Sequence, residues 1–437
     1  MIDNIRLRKQ NISIENIYLK KFLLIDSESQ KYVSSQLRTE IEKNFLTCEQ
    51  LIFDEQKIED KEDEELLYLD EEISNLQELN GNNKRNEIDN INEININNLY
   101  FRTYVNGVML TYYPVSRRFY ISGKLKRLDN SLDETILLSK VINFDDYMKD
   151  SNDIETFFVE ANKTISQYAK GIDIRSMTVT RIDYCININT CNVDIYCEFF
   201  NSFFQNKTYA KKYLNFVREE NKKIREYNKN KPKEKQKKLI EPIGSYYVKA
   251  KKQYKNNERN TYVINFYNKH DEILKKESKL KKDNDLSKNT FRLEVQVYHQ
   301  ILRNWKQKTL KSLFNYELAH SIIRKKIVDF VGEWDYLNYD KVKEKLIQEN
   351  KYSNREVNQK GFERFCREIS RNKTPPNDMT DAAINKYKNI LKKCGIFPYR
   401  FLDNKYGIEI LENPVKLLDE KARINNSYKL IYKIDGV

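Results

Sequence analysis

Three short segments between residues 180 and 298 contain residues that together could cleave a phosphodiester bond. They read TRIDYCINI around Asp183, NFYNKHDEI around Tyr267 and FRLEVQVY around Glu294. Two carboxylates on adjacent strands could hold a hard divalent cation, which polarises a phosphate oxygen as charge develops. A tyrosine hydroxyl beside that cation could attack phosphorus, and Lys269 would lower the tyrosine pKa or stabilise the charge of the transition state.

Strand periodicity predicts that these residues share one face of a sheet. Side chains alternate between the two faces of a strand, so each segment divides into an apolar and a polar set. If the three strands are neighbours, the polar sets combine into one group: Arg181, Asp183, Tyr267, Lys269, Arg292 and Glu294. We expect the two arginines to bind adjoining phosphates. A strand face of mixed charge is often only solvent-exposed, so alternation alone leaves the catalytic interpretation open.

Both strands and helices are predicted around this group. The aromatic and β-branched stretch after Leu99 is typical of strands, and Asn106-Gly107 predicts a hairpin turn within it. Helical spacing of apolar residues predicts helices over 145–168 and 194–216, and helices follow almost continuously after Ile301. One of these is well delimited, with Thr380 or Asp378 as its cap and Gly395 at its end.

Composition limits the class of protein. The 437 residues carry a net charge of +13, which favours contact with a polyanion such as nucleic acid. No apolar run is long enough to span a membrane and no secretion signal is visible, so we expect a cytoplasmic protein without a membrane partner. The six cysteines have no spacing typical of zinc ribbons or disulfide scaffolds.

Charge is unevenly distributed along the chain. The segment Glu49–Glu93 has sixteen acidic and four basic residues, a net charge of −12. We interpret it as a solvated insertion with a flexible Asn-rich end; a sharper hypothesis is that it covers a basic DNA-binding face until DNA displaces it. The tract Lys207–Lys238 has a net charge of +9 with interleaved aromatic residues, which suits phosphates and unpaired bases or a solvated helix. Predicted clamps for the DNA backbone follow it: Lys249, Lys251 and Lys252.

The same three segments, in the same order, resemble the block pattern of rolling-circle replication initiators. The similarity is to the filamentous-phage type and to the related Gram-positive plasmid initiators of the trans-acting replication protein superfamily. In that pattern a strand R-[IL]-D precedes [IF]-Y-[DN]-K and then R-[IV]-E-[IV]. Asp183, Tyr267 with Lys269, and Glu294 occupy the matching positions, with Leu293 in place of the β-branched residue of the last block. The opening MIDNIRLR and the stretch FYISGKL resemble earlier blocks of the family.

The resemblance implies an α+β fold, in which an antiparallel sheet is backed by helices as in replication-initiator nickases; the helical pattern after Ile301 predicts a mostly helical C-terminal domain. We therefore divide the chain into four parts: 1–48 with the first strand and helix, 49–98 as an acidic, partly disordered insertion, 99–303 as the nickase domain, and 304–437 as the helical domain, a candidate for DNA or helicase binding. Tyr267 would be the nucleophile, and Asp183 and Glu294 would bind Mg²⁺ or Mn²⁺. The family's second acidic position in the first block is Asn187 here, a weaker ligand.

The implied activity is nicking of one strand at a plasmid or phage origin, which leaves a 5′-phosphotyrosyl link and a free 3′ hydroxyl. Partners would be single-stranded or hairpin origin DNA, a host helicase and polymerase, and a second copy in a homodimer. A plasmid mobilisation relaxase would use the same chemistry on a transfer origin. A non-catalytic origin-binding or regulatory protein would keep the sheet without the metal. Single-stranded RNA binding is disfavoured because the polar faces carry charge more than paired aromatics.

Overall fold

A computed structural model of the protein describes residues 2–26, 32–34, 37–39, 41–42, 87–88, 99–142, 148, 151–205, 226, 229, 246–254, 257–275, 281–349, 359–372 and 375–426. The strands within these residues are β1 Ile2–Lys9, β2 Leu23–Asp26, β3 Tyr32–Val33, β4 Glu87–Ile88, β5 Leu99–Val105, β6 Val108–Tyr113, β7 Arg118–Gly123, β8 Thr178–Asn189, β9 Tyr246–Tyr254, β10 Asn257–Asn268, β11 Thr290–Tyr298, β12 Tyr336–Leu337 and β13 Ile410–Leu411. The acidic segment 49–98, apart from β4, and nearly all of the basic tract Lys207–Lys238 lie outside the described residues.

Eleven of these strands form one sheet in the order β4-β3-β2-β5-β6-β7-β1-β8-β11-β10-β9. The first strand of the chain therefore lies in the middle of the sheet, between β7 and β8. Neighbouring strands are antiparallel except β3 and β4, which are parallel. The predicted mixed architecture with a large antiparallel sheet is confirmed.

The hairpin between β5 and β6 turns at the predicted dipeptide. Asn106 has φ of +50° and Gly107 has φ of +77°, and Val105 is paired with Val108. Two consecutive residues with positive φ are what a type I′ turn requires, and Asn-Gly adopts them at little cost. The local sequence therefore sets the register of this hairpin.

Helices connect and follow the strands within the described residues. They are α1 Glu134–Leu138, α2 Ser151–Ser166, α3 Val193–Gln205, α4 Lys269–Lys275, α5 Lys281–Ser287, α6 His299–Leu302, α7 Leu310–Leu313, α8 Tyr316–Val331, α9 Tyr339–Gln348, α10 Gln359–Asn372, α11 Asp381–Lys393 and α12 Pro414–Asn426. None of the helices in this part of the chain is long and apolar enough to cross a lipid bilayer.

The main core lies between helices such as α2, α3 and α8 and the apolar sides of the strands. The predicted apolar sets of β8 and β11 are buried in it, for example Ile186 and Leu293. From α3, the ring of Phe200 stacks on Phe266 of β10 with centroids 4.5 Å apart and on Phe291 of β11 at 5.7 Å. Such packing fixes the strands that carry the candidate site.

The C-terminal helices divide between two cores. Ile323 of α8 and Leu418 of α12 are buried in the main core, so the core of the sheet continues past the boundary predicted at residue 304. Helices α9, α10 and α11 enclose a second core around Leu346, Phe365 and Leu391. This three-helix unit therefore has an interior of its own.

Helix α11 begins and ends where the sequence predicts. The hydroxyl of Thr380 accepts a hydrogen bond from the backbone N–H of Ala383, at 3.4 Å. Tyr387 and Leu391 of the predicted apolar stripe are buried, and Gly395 has φ of +66°. A capping hydroxyl at one end and a left-handed glycine beyond the other are the standard helix delimiters.

Candidate active site on the polar face of the sheet

The three strands predicted to carry the chemistry are neighbours in the sheet, in the order β8-β11-β10. Glu294 of β11 lies opposite Cys185 of β8 and Asn265 of β10. Arg292 lies opposite Asn187 and Tyr267. Directly paired residues share a face of the sheet, so the pairing brings the predicted polar set together on the face opposite the main core.

Glu294 is the centre of this group. Its Oε2 accepts a hydrogen bond from the hydroxyl of Tyr267 at 3.2 Å. Its Oε1 accepts bonds from Asn265 Nδ2 at 2.9 Å and from Gln296 Nε2 at 2.8 Å. The carboxylate is 5% exposed, so it is held by donors on two adjacent strands and faces the phenol as a proton acceptor.

The pKa of the Tyr267 phenol is raised, whereas the sequence suggested that Lys269 could lower it. Burial, followed by the negative charges of Glu272 and Glu294, raises the pKa of the phenol well above its ordinary value. Lys269 does not offset this rise: its ammonium forms an ion pair with Glu272 and lies 5.6 Å from the centroid of the Tyr267 ring. The phenol is therefore protonated near neutral pH, and its activation needs a base.

Lys269 does not belong to the strand as alternation predicted. Strand β10 ends at Asn268, and Lys269 is the first residue of α4. Burial and the neighbouring charge of Arg292 lower the pKa of its ammonium to about 8, against the opposing effect of Glu272. Lys269 therefore lies next to the Tyr267 ring, and its ammonium loses its proton at a lower pH than an exposed lysine does.

Asp183 and Arg181 form a closed pair two residues apart on β8. Arg181 Nε donates to Asp183 Oδ1 at 2.9 Å and Nη2 donates to Oδ2 at 2.8 Å. The aspartate side chain is fully buried and the arginine side chain is 12% exposed. Asp183 lies opposite Gln296, diagonal to Glu294. A bidentate guanidinium occupies both carboxylate oxygens, so in this conformation Asp183 is neutralised by an arginine.

The donor set agrees only in part with the predicted divalent cation. Asn265 is buried and its Oδ1 has no hydrogen-bond partner among the described residues, so a neutral oxygen ligand lies beside the Glu294 carboxylate. That pair suits a hard cation. Asp183 could bind the same cation only after its ion pair with Arg181 is broken. Within the described residues no three His, Cys, Asp or Glu side chains converge as metal ligands. Of the histidines near the site, His270 contacts Ser287 Oγ through Nδ1 at 2.9 Å.

Arg292 is fully buried beneath the segment that follows α1. Its Nε donates to Asn187 Oδ1 at 2.8 Å, and Nη2 donates to the carbonyl of Val141 at 3.2 Å. The segment is anchored by Lys126, whose Nζ donates to the carbonyls of Ser139 at 2.7 Å and Ile142 at 2.6 Å. A phosphate could reach the guanidinium only if this segment moved. Arg292 thus links β11 to β8 and to the segment carrying Val141, and Asn187 accepts one of its hydrogen bonds.

Sequence reasoning missed Asp3, which completes the cluster from β1. Its Oδ1 lies 2.9 Å from Lys124 Nζ and 3.4 Å from Arg292 Nη1. Burial alone would raise the pKa of this carboxyl, but the charges of Lys124, Arg292 and Lys269 together hold it well below its usual value. The only sequence signal was its place in the opening strand. That this strand lies beside β8 is a consequence of the sheet topology.

The predicted clamp lysines belong to the edge strand β9. In the pairing with β10, Lys249 is opposite Val263, Lys251 opposite Asn260 and Lys252 opposite Arg259. The strand carrying them is therefore next to the strand that carries Tyr267.

Comparisons of the chain with protein-family models, with curated proteins and with solved structures give no match. The functional argument accordingly depends on the residues and their geometry.

Proposed function

We propose that the protein is a tyrosine nickase of the replication-initiator type, with the corresponding nickase fold. The observation that carries the proposal is the hydrogen bond from the Tyr267 hydroxyl to Glu294 on a face that also holds Lys269 and Arg292. A phenol with a raised pKa gains nucleophilicity from an adjacent base, and the ammonium of Lys269 beside it suits a phosphate whose negative charge increases during attack.

In the proposed reaction Glu294 takes the phenolic proton while Tyr267 Oη attacks the phosphorus of a DNA phosphodiester. The bond between phosphorus and the 3′ oxygen breaks, and that oxygen takes up a proton from water. The products are a 5′-phosphotyrosyl link and a free 3′ hydroxyl that a polymerase can extend. The ammonium of Lys269 stabilises the charge on the phosphoryl oxygens, and Asp3 and Arg292 keep the surrounding cations in place.

Mg²⁺ or Mn²⁺ is part of the proposal. Glu294 and Asn265 Oδ1 would hold the cation, with Asp183 as a further ligand. When bound, it would neutralise charge on the phosphate as a Lewis acid. We extend the proposal to single-stranded or hairpin origin DNA as the substrate; a transfer origin would make the protein a mobilisation relaxase with the same chemistry.

The test is incubation of the full chain with Mg²⁺ or Mn²⁺ and labelled single-stranded oligonucleotides that tile the DNA around its own gene, followed by denaturing electrophoresis. Wild type should give a protein-linked label and Tyr267→Phe should give none. Tyr18→Phe is the matched control, because Tyr18 is 48% exposed and lies outside the strands of the polar face. This control should form the adduct at the wild-type rate.

A second candidate function is favoured by the Arg181–Asp183 pair. A carboxylate neutralised by a bidentate arginine, next to a tyrosine of raised pKa, also suits a DNA-binding regulator without catalysis. DNA binding with no adduct for either metal would support this regulator and exclude the nickase.

A further inference from the structure

Two lysines of α11 lie beside two aromatic rings in the C-terminal part of the chain. Lys388 Nζ lies 4.8 Å from the centroid of the Tyr399 ring. Lys392 Nζ lies 5.8 Å from the same centroid and 5.6 Å from that of the Trp334 ring. All four residues are half-buried. We call Trp334, Lys388, Lys392 and Tyr399 the lysine–aromatic cluster.

The two rings of the cluster are fixed by the protein around them. Both contact Phe397, which is buried in the main core, with centroids 6.3 Å away for Trp334 and 5.5 Å away for Tyr399. The backbone N–H of Phe397 donates to the carbonyl of Asp335 at 2.9 Å, which joins the two segments that carry the rings. The indole also lies against Gly332, where a Cβ would come within 2.3 Å of its Cζ3. The rings are therefore a rigid surface beside the two ammonium groups.

The two ammonium groups repel each other. Lys388 and Lys392 are one turn apart on α11, and like charges at this spacing are unfavourable. Burial, followed by the charge of Lys392, lowers the pKa of Lys388, against the opposing effect of Asp381. No carboxylate in the described part of the chain forms an ion pair with either lysine. Contact with the rings offsets part of the repulsion, but the cluster still holds two positive charges without an anion.

The carboxylates on either side of Trp334 are already paired with other cations. Glu333 accepts Arg324 Nη2 at 2.6 Å. Asp335 Oδ2 lies 2.7 Å from Lys345 Nζ of α9. These ion pairs hold the two nearest acidic groups in sequence, so they do not neutralise the lysines of the cluster.

The charge around the cluster favours an anion with several charges. Helices α10 and α11 together carry eight Lys or Arg and three Asp or Glu residues. A surface with such a surplus attracts a polyanion. A phosphodiester has two non-bridging oxygens, so it can accept hydrogen bonds from two ammonium groups at once. A backbone phosphate therefore suits the two lysines.

We propose that the lysine–aromatic cluster binds a backbone phosphate of duplex DNA, as a contact separate from the cleavage site. One non-bridging oxygen would accept from Lys388 and the other from Lys392, while the rings keep both ammonium groups in place. A contact of this kind sets the orientation of a protein on DNA without reading its sequence. The inference rests on the proposed function in taking DNA as the partner, and its test measures binding rather than adduct formation.

The experiment is titration of the full chain onto a fluorescently labelled DNA duplex of arbitrary sequence at a series of salt concentrations. The test variant is Lys388→Gln with Lys392→Gln. The matched control, Lys341→Gln with Lys343→Gln, removes the same charge from α9. Lys343 also lies over a ring, 4.2 Å from the centroid of Tyr339, but both control lysines are paired with carboxylates.

The test variant should reduce the slope of log affinity against log salt by about one, because one phosphate contact is lost. The control should keep the wild-type slope. Lys388→Arg with Lys392→Arg retains both charges and should also keep it. An unchanged slope in the test variant, or an equal reduction in the control, would overturn the proposal.

Tryptophan fluorescence tests the cluster without relying on the lysine variants. The chain has two tryptophans, Trp305 and Trp334, so Trp305→Phe leaves Trp334 as the sole emitter. Duplex DNA should change this emission with the same midpoint as binding of the labelled duplex, because a phosphate that engages Lys392 alters the charge beside the indole. A response to poly-glutamate but not to DNA would assign the cluster to an acidic protein and overturn the proposal, and so would no response to either.

The two readouts separate this inference from the proposed nickase. Adduct formation by a protein whose Trp334 emission is unchanged by DNA would keep the nickase and remove the phosphate site. A DNA-dependent change in emission, with a reduced salt slope in the test variant and no adduct, would keep the phosphate site and remove the nickase.

Discussion

Tyr267 Oη donates a hydrogen bond to Glu294 Oε2 across the β10–β11 pair, at 3.2 Å. The phenol has a raised pKa because it is buried and has carboxylates near it. The same carboxylate that makes ionisation harder is thus the group placed to take the proton. This relationship makes Glu294 a base in the proposed chemistry, in addition to the metal ligand that the sequence predicts.

Removing that base should abolish most adduct formation. Glu294→Gln keeps the size of the side chain but cannot accept the phenolic proton, and we expect a loss of about 10²- to 10⁴-fold in the rate of adduct formation. Single-turnover gel assays on the oligonucleotide cut by wild type would measure it. Glu155→Gln, at a half-exposed ion pair with Arg175, should keep the full rate. A Glu294→Gln protein as fast as wild type would remove Glu294 from the mechanism.

The rate should fall as pH rises through the pKa of Lys269. That pKa is lowered to about 8, so the ammonium loses its charge above this pH and no longer stabilises the phosphoryl oxygens. Ionisation of Tyr267 does not offset this loss in rate, because the pKa of its phenol is raised well above the ordinary value. Adduct formation measured from pH 6 to 10 should therefore decline on the alkaline side. Lys269→Arg should move that decline to higher pH, and an unmoved profile would assign it to another group.

The Arg181–Asp183 pair should be important for stability. Arg181→Gln leaves a fully buried carboxylate without its bidentate partner, and we expect the free energy of unfolding to drop by about 3–5 kcal/mol. Adding Asp183→Asn should restore much of that loss because the buried charge is then removed. Urea unfolding of both variants measures this. Arg175→Gln at a half-exposed pair should cost about 0–1 kcal/mol, and a similarly small cost for Arg181→Gln would refute the prediction.

Lys126 should make stability depend on pH. Burial, together with the charge of Lys124, lowers its pKa to about 7 in the folded protein, whereas in the unfolded chain a lysine titrates near about 10.4. Between these values the unfolded state binds more protons, so the free energy of unfolding should rise as pH increases from about 7 to 10. Lys126→Met should reduce this slope in urea unfolding at pH 7 and pH 9. The exposed substitution Lys163→Met should not change it.

Local patterns in the sequence predicted several features that the structure contains. The apolar sets of β8 and β11 are buried as alternation required, and Asn106-Gly107 forms the hairpin turn. Helix α11 has its cap and its terminating glycine. These features depend on residues a few positions apart, where backbone preference and side-chain periodicity decide the outcome.

The same patterns did not predict that the pKa of Tyr267 is raised. Spacing places a lysine two residues after a tyrosine, but it does not reveal that the strand ends at Asn268 or that Glu272 occupies the ammonium. Burial then dominates the pKa of both groups. Burial is set by the whole packed structure, so a strand pattern cannot supply it.

The sequence by itself determined which residue types could do the chemistry and which of them share a face of each strand. Only the tertiary structure decided that Asp3 joins them, that Arg292 lies beneath the segment carrying Val141, and that Arg181 occupies Asp183. It also decided that Arg8 and Arg102 share a row across four strands. The physical reason is that pairing between strands far apart in sequence, and the desolvation that accompanies it, are properties of the assembled sheet.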